Sequence, residues 1–135
     1  MSDHELEKIR LKKAEILLKA QTMPREIVKI NSIEEYDNLL KQFPEKVIII
    51  DFWAIWCGPC ITFGPIFDQL NQKHSEFIFI KVNVDKLPSI AQRYRITGIP
   101  TILFIKDDKV IHKVIGAVNL DYMERILEKL KSFTK

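Results

Sequence analysis

Both cysteines of the chain lie in the run Trp53-Ala54-Ile55-Trp56-Cys57-Gly58-Pro59-Cys60, two residues apart and directly behind the apolar stretch Val47-Ile48-Ile49-Ile50-Asp51-Phe52. A thiolate rather than a thiol attacks sulfur, and a free cysteine with a pKa of about 8.5 is only a few per cent ionised at neutral pH. Placement therefore decides whether such a pair reacts. If Gly58-Pro59 opens a helix, Cys57 sits at its N-terminal end, where unpaired backbone N–H groups and the macrodipole favour an anion. Proline fits a first helical turn because its missing N–H would have had no partner there, and glycine lets another chain approach the sulfur. Cys57 is thereby the predicted nucleophile. Cys60, one turn further in, is predicted to lie deeper and less ionised, as the resolving thiol that breaks a mixed disulfide formed on Cys57.

Two other uses of the pair fit less well. Tetrahedral zinc takes four ligands, and the remaining candidates His4, His74 and His112 are scattered along the chain. A purely structural disulfide across so short a loop would remove little entropy from the unfolded chain. Reversible redox chemistry remains. Asp51 is the second chemical feature, the only acid in a seven-residue apolar run. A carboxylate buried there without a partner has its pKa raised, because desolvation penalises the charged form. At a solvated strand end the same residue would titrate normally.

The elements that position these groups follow a βαβ pattern, then a hairpin and a last helix. Glu26 to Ile30 reads as a short strand, and Asn31-Ser32 opens a helix with Glu35 completing a capping box, ending near Phe43-Pro44. Val47 to Trp53 has the near-continuous apolar character of a strand covered on both faces. It is the predicted centre of the sheet. The helix from Pro59 to His74 carries Phe63, Ile66, Phe67 and Leu70 at core spacing and is interrupted by Pro65. Phe77 to Val84 is a second central strand, joined to the first by a right-handed crossover. Pro88 to Tyr94 reads as a short helix, and Thr101–Lys106 with Val110–Ile115 as an antiparallel hairpin around Asp107-Asp108-Lys109. Asn119 caps a final helix whose Leu120, Met123, Ile126, Leu127 and Leu130 form one apolar stripe. The stripe is expected to cover the sheet on the side opposite the Pro65 helix.

In combination, these residues resemble the thioredoxin family over about residues 26–133. Asp51 to Cys60 is similar to the family's active-site signature, and Pro65 falls where the family kinks its second helix. Thr97-Gly98-Ile99-Pro100-Thr101 resembles the loop whose proline is cis and faces the disulfide, and Gly116 matches a glycine of the docking surface. The resemblance implies an α/β thioredoxin fold: a central mixed sheet of about five strands flanked by four helices, spanning 25–135. It implies a Cys57–Cys60 disulfide, with Asp51 beneath Cys60 relaying its proton and Lys81 modulating Asp51. A cation there would pull the Asp51 pKa back, and the net value is still expected above an ordinary aspartate. Trp56, Gly58, Pro59, Ile99, Pro100, Gly116 and Ala117 are implied as a flat apolar substrate surface, with Trp53 packing behind it.

The implied activity is reduction of protein disulfides by dithiol–disulfide exchange, with no bound cofactor or metal. Reducing equivalents would come from thioredoxin reductase, a flavoprotein disulfide reductase, and the other partners would be disulfide-containing client proteins. Oxidase- or isomerase-type chemistry and a docking subunit using the same fold remain alternatives. Three positions depart from the family pattern: Ile55, often acidic or proline; Ile61, where lysine or arginine is common; and Asp107-Asp108, in place of a glycine-bearing turn.

Composition agrees with this picture. At 135 residues with 47% hydrophobic and 29% charged residues, the chain fits one domain able to bury its own core. A net charge of +3 with dispersed lysines argues against nucleic-acid binding. No stretch has the length of a membrane span or the apolar core of a secretory signal, so a soluble, cytoplasmic protein is expected; a monomer is the expected state. Residues 1–24 lie outside the resemblance as a helical extension. Ser2 and Glu5 suggest a capping box, and Leu6, Ile9, Ala14, Ile16, Leu17 and Leu18 alternate with Lys8, Arg10, Lys12, Lys13 and Lys19 on poorly segregated faces. The expected role is a helix docked on or frayed from the domain, ahead of partner or membrane contact, with Met23 an alternative start.

Overall fold

The computed structural model describes residues 2–21 and 23–134, and side chains at 14–21 and 133–134 fall outside that description. In chain order the elements are α1 (Asp3–Gln21), β1 (Val28–Lys29), α2 (Ile33–Gln42), β2 (Ile48–Trp53), α3 (Gly58–Lys73) and β3 (Ile78–Asn83). There follow α4 (Pro88–Arg93), β4 (Thr101–Lys106), β5 (Lys109–Ile115), α5 (Leu120–Leu130) and a 3₁₀ turn at Lys131–Thr134. The five strands form one mixed sheet in the order β1-β3-β2-β4-β5, with β1, β3 and β2 parallel and β4 antiparallel to both β2 and β5. Strand β2 is central, as its apolar run predicts.

Alternation along the strands sorts the core into two layers. Ile48, Ile50 and Phe52 of β2 point to one face with Tyr36, Leu39, Leu87 and Ile90, while Val47 and Ile49 share the other with Phe63, Phe67 and Leu70. The chain moves from β1 to β2 in one direction across the sheet and from β2 to β3 in the other. With both crossovers right-handed, α2 and α3 must take opposite faces.

The last helix departs from expectation. Met123, Leu127 and Leu130 of α5 are buried in the same cluster as Phe63, Phe67 and Leu70, so α5 lies on the α3 side of the sheet rather than opposite it. The reason is coverage. Helices α2 and α4 already cover the first face, and the second would leave Ile102, Phe104 and Val114 bare beyond α3 without α5.

Local signals match the observed ends closely. Ser32 Oγ accepts the Glu35 N–H at 3.0 Å, and the returning Glu35 carboxylate accepts from Asn31 N–H at 3.2 Å, one residue earlier than the usual capping box. Asn119 Oδ1 accepts from Tyr122 N–H at 2.8 Å. At the hairpin, Asp107 and Asp108 both take positive φ, 53° and 59°, between the paired Lys106 and Lys109. Two left-handed central residues are the type I′ arrangement, and aspartate tolerates that region better than most residues. The capping box at Ser2 also forms, with Glu5 N–H donating to Ser2 Oγ at 3.2 Å. Leu6, Ile9 and Leu11 of α1 are exposed, and the predicted apolar residues at 14 to 18, with Lys19, lie outside the described side chains.

Candidate active site

The cysteines sit where β2 hands over to α3. Cys57 has extended backbone angles and is the N-cap of α3, with Pro59 in the first turn. Its sulfur accepts the Cys60 N–H at 3.2 Å, one of the orphan donors at the helix start. This is the environment the spacing predicts. Cys57 and Cys60 are joined as a disulfide, with Cα atoms 5.3 Å apart. Pro65 lies inside α3, which continues through it.

In this oxidised form both cysteines are nearly covered, at 5% and 3% exposure, so depth alone barely separates them. What distinguishes Cys57 is its neighbours. Its sulfur lies 3.8 Å from the Ile99 carbonyl oxygen, and Ile99 precedes the proline of a cis peptide, Ile99-Pro100. Trp53, Val84 and Ile99 close over the pair together with Ala54.

Around the covered sulfurs the surface is apolar. Ile55, Trp56 and Ile61 are 71%, 69% and 57% exposed, and Gly58, Pro59 and Ala117 are exposed beside them in sequence or loop. Ile99 and Gly116 are partly covered. Pro100 is buried, so it shapes this surface through its backbone rather than through its ring. Its carbonyl accepts from Gly116 N–H at 2.8 Å, tying the two loops together, and Gly116 has φ of 96°, a conformation that favours glycine.

Several residues of the site were not legible from the sequence. A shallow apolar groove of about 180 Å³ runs beside Trp56, lined by Val84, Ala91, Ile96, Thr97, Gly98 and Ile99. The turn after β3, helix α4 and the loop that follows it bring these together, and no single run of sequence contains them. Asp85 is the other addition. Its carboxylate accepts the Trp56 indole N–H at 2.7 Å, and the Asn83 side chain fixes the turn by accepting from the Asp85 and Lys86 N–H groups. An Asn at the end of a strand, two residues before an Asp, is the local signal that could have found it.

Asp51 is fully buried on β2, on the sheet face that also carries α3. Neither carboxylate oxygen has a hydrogen-bond partner among the described residues. Burial pushes its pKa from 3.8 up to about 7, Lys81 pulling against that rise and Asp68 adding to it. Lys81 is the register partner of Asp51 on β3, with Nζ 4.0 Å from Oδ2. That is too long for a hydrogen bond. Lys81 Nζ also lies 4.8 Å from the centre of the Trp53 ring. Among the described residues no cluster of His, Cys, Asp or Glu is arranged to hold a metal ion, and no helix is long and apolar enough to cross a membrane.

Comparison with known proteins points one way. The family model described as Thioredoxin matches residues 27–129. A Thioredoxin H-type protein of Brassica oleracea is 36% identical over 112 residues, covering 81% of this chain and 91% of that one. Among solved structures, Schistosoma mansoni thioredoxin superposes with a TM-score of 0.74 at 34% identity, covering 80% of this chain and 98% of that one. A structure titled for the thiol-resolving mechanism of a yeast mitochondrial 1-Cys peroxiredoxin via glutathione/thioredoxin systems matches at 35% identity. Its TM-score is 0.69, with 81% of this chain and 100% of that one covered.

Proposed function

The chain belongs to the thioredoxin family and is a thiol–disulfide oxidoreductase with protein-disulfide reductase activity; on that premise we propose how its residues divide the work. The Cys57 thiolate attacks one sulfur of a client disulfide, forming a mixed disulfide and releasing the first client thiolate. Cys60 then loses its proton to Asp51 and attacks the Cys57 sulfur. The second client thiolate leaves and is protonated, and the protein is left with the Cys57–Cys60 disulfide. Two electrons have passed to the client.

The observation that carries this assignment is the asymmetry at the helix start. The Cys57 sulfur receives a backbone N–H and occupies the N-cap, both of which favour the anion, whereas Cys60 lies in the first turn. Asp51 supports the relay role because a carboxylate held near neutrality exchanges protons readily at physiological pH. Lys81 limits how far that value rises. Trp56, Gly58, Pro59, Ile99, Gly116 and Ala117 receive the client, with Pro100 setting the loop, and an extended segment pairs with the Ile99 backbone.

Reducing equivalents return from a flavoprotein, thioredoxin reductase, in the cytoplasm, and the clients are disulfide-bearing proteins. The match to a structure concerned with peroxiredoxin resolution makes a peroxiredoxin one client worth assaying. Residues 25–135 would carry all of this as one monomeric domain, with 1–24 an appended helix.

Reduction of insulin disulfides by dithiothreitol tests the division of labour. Cys57→Ser is expected to leave only the uncatalysed rate, and Cys60→Ser, reduced beforehand and mixed with insulin in the absence of dithiothreitol, to accumulate a covalent complex with the client. Full activity in the Cys57→Ser variant would defeat the assignment.

A further inference from the structure

Asp51, Trp53 and Lys81 project from the same face of the sheet. Asp51 and Trp53 are two residues apart on β2, and Lys81 is the partner of Asp51 across the β2–β3 ladder. A buried carboxylate and a lysine in register would ordinarily close to a direct, charge-assisted hydrogen bond of about 2.7–2.9 Å. Here they do not. The ammonium stops 4.0 Å from Oδ2, so neither carboxylate oxygen has a donor among the described residues, and it stands 4.8 Å from the Trp53 ring centre. An ammonium over an indole face is attracted by the ring quadrupole, most strongly where water is excluded, and Trp is the best of the aromatic residues for it.

We propose that Trp53 is a positioning residue for the redox reaction, its indole face holding the Lys81 ammonium back from Asp51 so that the buried carboxyl keeps its readiness to take up a proton. This rests on the relay role given to Asp51 above. Trp53 touches the Ala54, Cys57 and Cys60 cluster on its other contacts, so it joins the proton acceptor to the sulfurs it serves.

The groups that face Asp51 are few. From β3 comes Lys81; from α3 comes Asp68, which acts in the opposite direction; from β4 the register partner is the uncharged Ile102. With Trp53 shortened, Lys81 is the one cation among these free to move onto the carboxylate. The Asp51 midpoint then falls, because an opposite charge at hydrogen-bond distance stabilises the ionised form.

The test is a titration of the Asp51 carboxyl carbon by NMR in the oxidised protein, which needs no turnover. Trp53→Leu is expected to lower the midpoint by about one pH unit, and Trp53→Phe, which retains a weaker ring, by less. The same substitutions are then made with Lys81→Met. If the indole acts through the ammonium, they no longer lower the midpoint in that background. If it merely keeps water from the carboxyl, they lower it equally with and without the lysine, and the proposal is overturned. An unchanged midpoint in Trp53→Phe and Trp53→Leu with Lys81 present also overturns it. Should the midpoint shift as expected while insulin reduction keeps its pH dependence, the positioning stands and the relay role of Asp51 fails instead.

Discussion

Helix α3 has a buried ionisable side chain associated with each of its ends, and the two are treated in opposite ways. At the C-terminal end, His74 is 5% exposed and both ring nitrogens meet carboxylates: Nε2 lies 2.6 Å from Glu124 Oε2 on α5 and Nδ1 3.3 Å from Glu76 Oε1. Lys73 stands 3.9 Å from Glu124 Oε1, an oxygen with no hydrogen bond among the described residues, and Lys131 stands 3.9 Å from Glu76, so the outer part of this network is held by charge while the His74 ring is held directly. At the N-terminal end, Asp51 on the strand feeding the helix is buried with no hydrogen bond among the described residues, its nearest cation being Lys81 at 4.0 Å. A satisfied buried polar group fixes a structure, whereas an unsatisfied one holds free energy in reserve and exchanges its proton easily. The molecule is tied together at one end of α3 and kept reactive at the other.

The comparison breaks first at the cysteines. Cys57→Ser should cost about 1,000-fold or more in insulin reduction, the usual consequence of deleting a nucleophile, while His74→Gln leaves the rate unchanged. Loss of activity in the histidine variant, measured under conditions where it is folded, would erase the division between the two ends.

Stability should respond with opposite signs. Between pH 3.8 and about 7 folded Asp51 holds a proton that the unfolded chain has released. Stability from this group therefore falls as pH rises through that window, and above it the folded state carries a penalty of roughly 4 kcal/mol. Asp51→Ala should then raise unfolding free energy by about 3 kcal/mol at pH 8, the smaller side chain leaving some space unfilled, and should give no such gain at pH 4. Urea unfolding at the two pH values measures this. His74→Ala should instead destabilise by about 2 kcal/mol, because it strands the Glu124 oxygen it faces. A stabilising His74→Ala would show that the network is not a tie.

The smallest effect concerns the surface. Asp85→Ala frees the Trp56 indole, whose side chain is mostly exposed, and should weaken client binding by about 2- to 5-fold through KM with kcat nearly intact. Equal losses in both constants would place Asp85 in the chemistry rather than in the docking surface.

Much of this arrangement was legible in the sequence because local rules act on short runs. The apolar run around Asp51 announced a doubly covered strand, Ser32 with Glu35 and Asn119 marked helix starts, and Gly58-Pro59 put Cys57 at a cap. The face chosen by α5 was not legible, since its stripe says that one side must be buried and nothing about which layer lacks cover. The groove lining was hidden for a related reason: Val84, Ala91 and Ile96 are unremarkable apolar residues until helix α4 and its flanking loops bring them beside Trp56. The Asp107-Asp108 turn was ambiguous because aspartate lacks the glycine signal yet adopts the same left-handed angles. Asp51 was readable as buried, but the 4.0 Å gap between its carboxylate and Lys81 depends on where the ammonium comes to rest.

Whether burial or Lys81 governs Asp51 is read by titrating its carboxyl carbon by NMR in the unmodified, oxidised protein. A midpoint near 7 is predicted, from burial outweighing the attraction of Lys81. A midpoint at or below 3.8 would mean that the lysine neutralises the carboxylate after all, and that the two ends of α3 differ in nothing that matters to the chemistry.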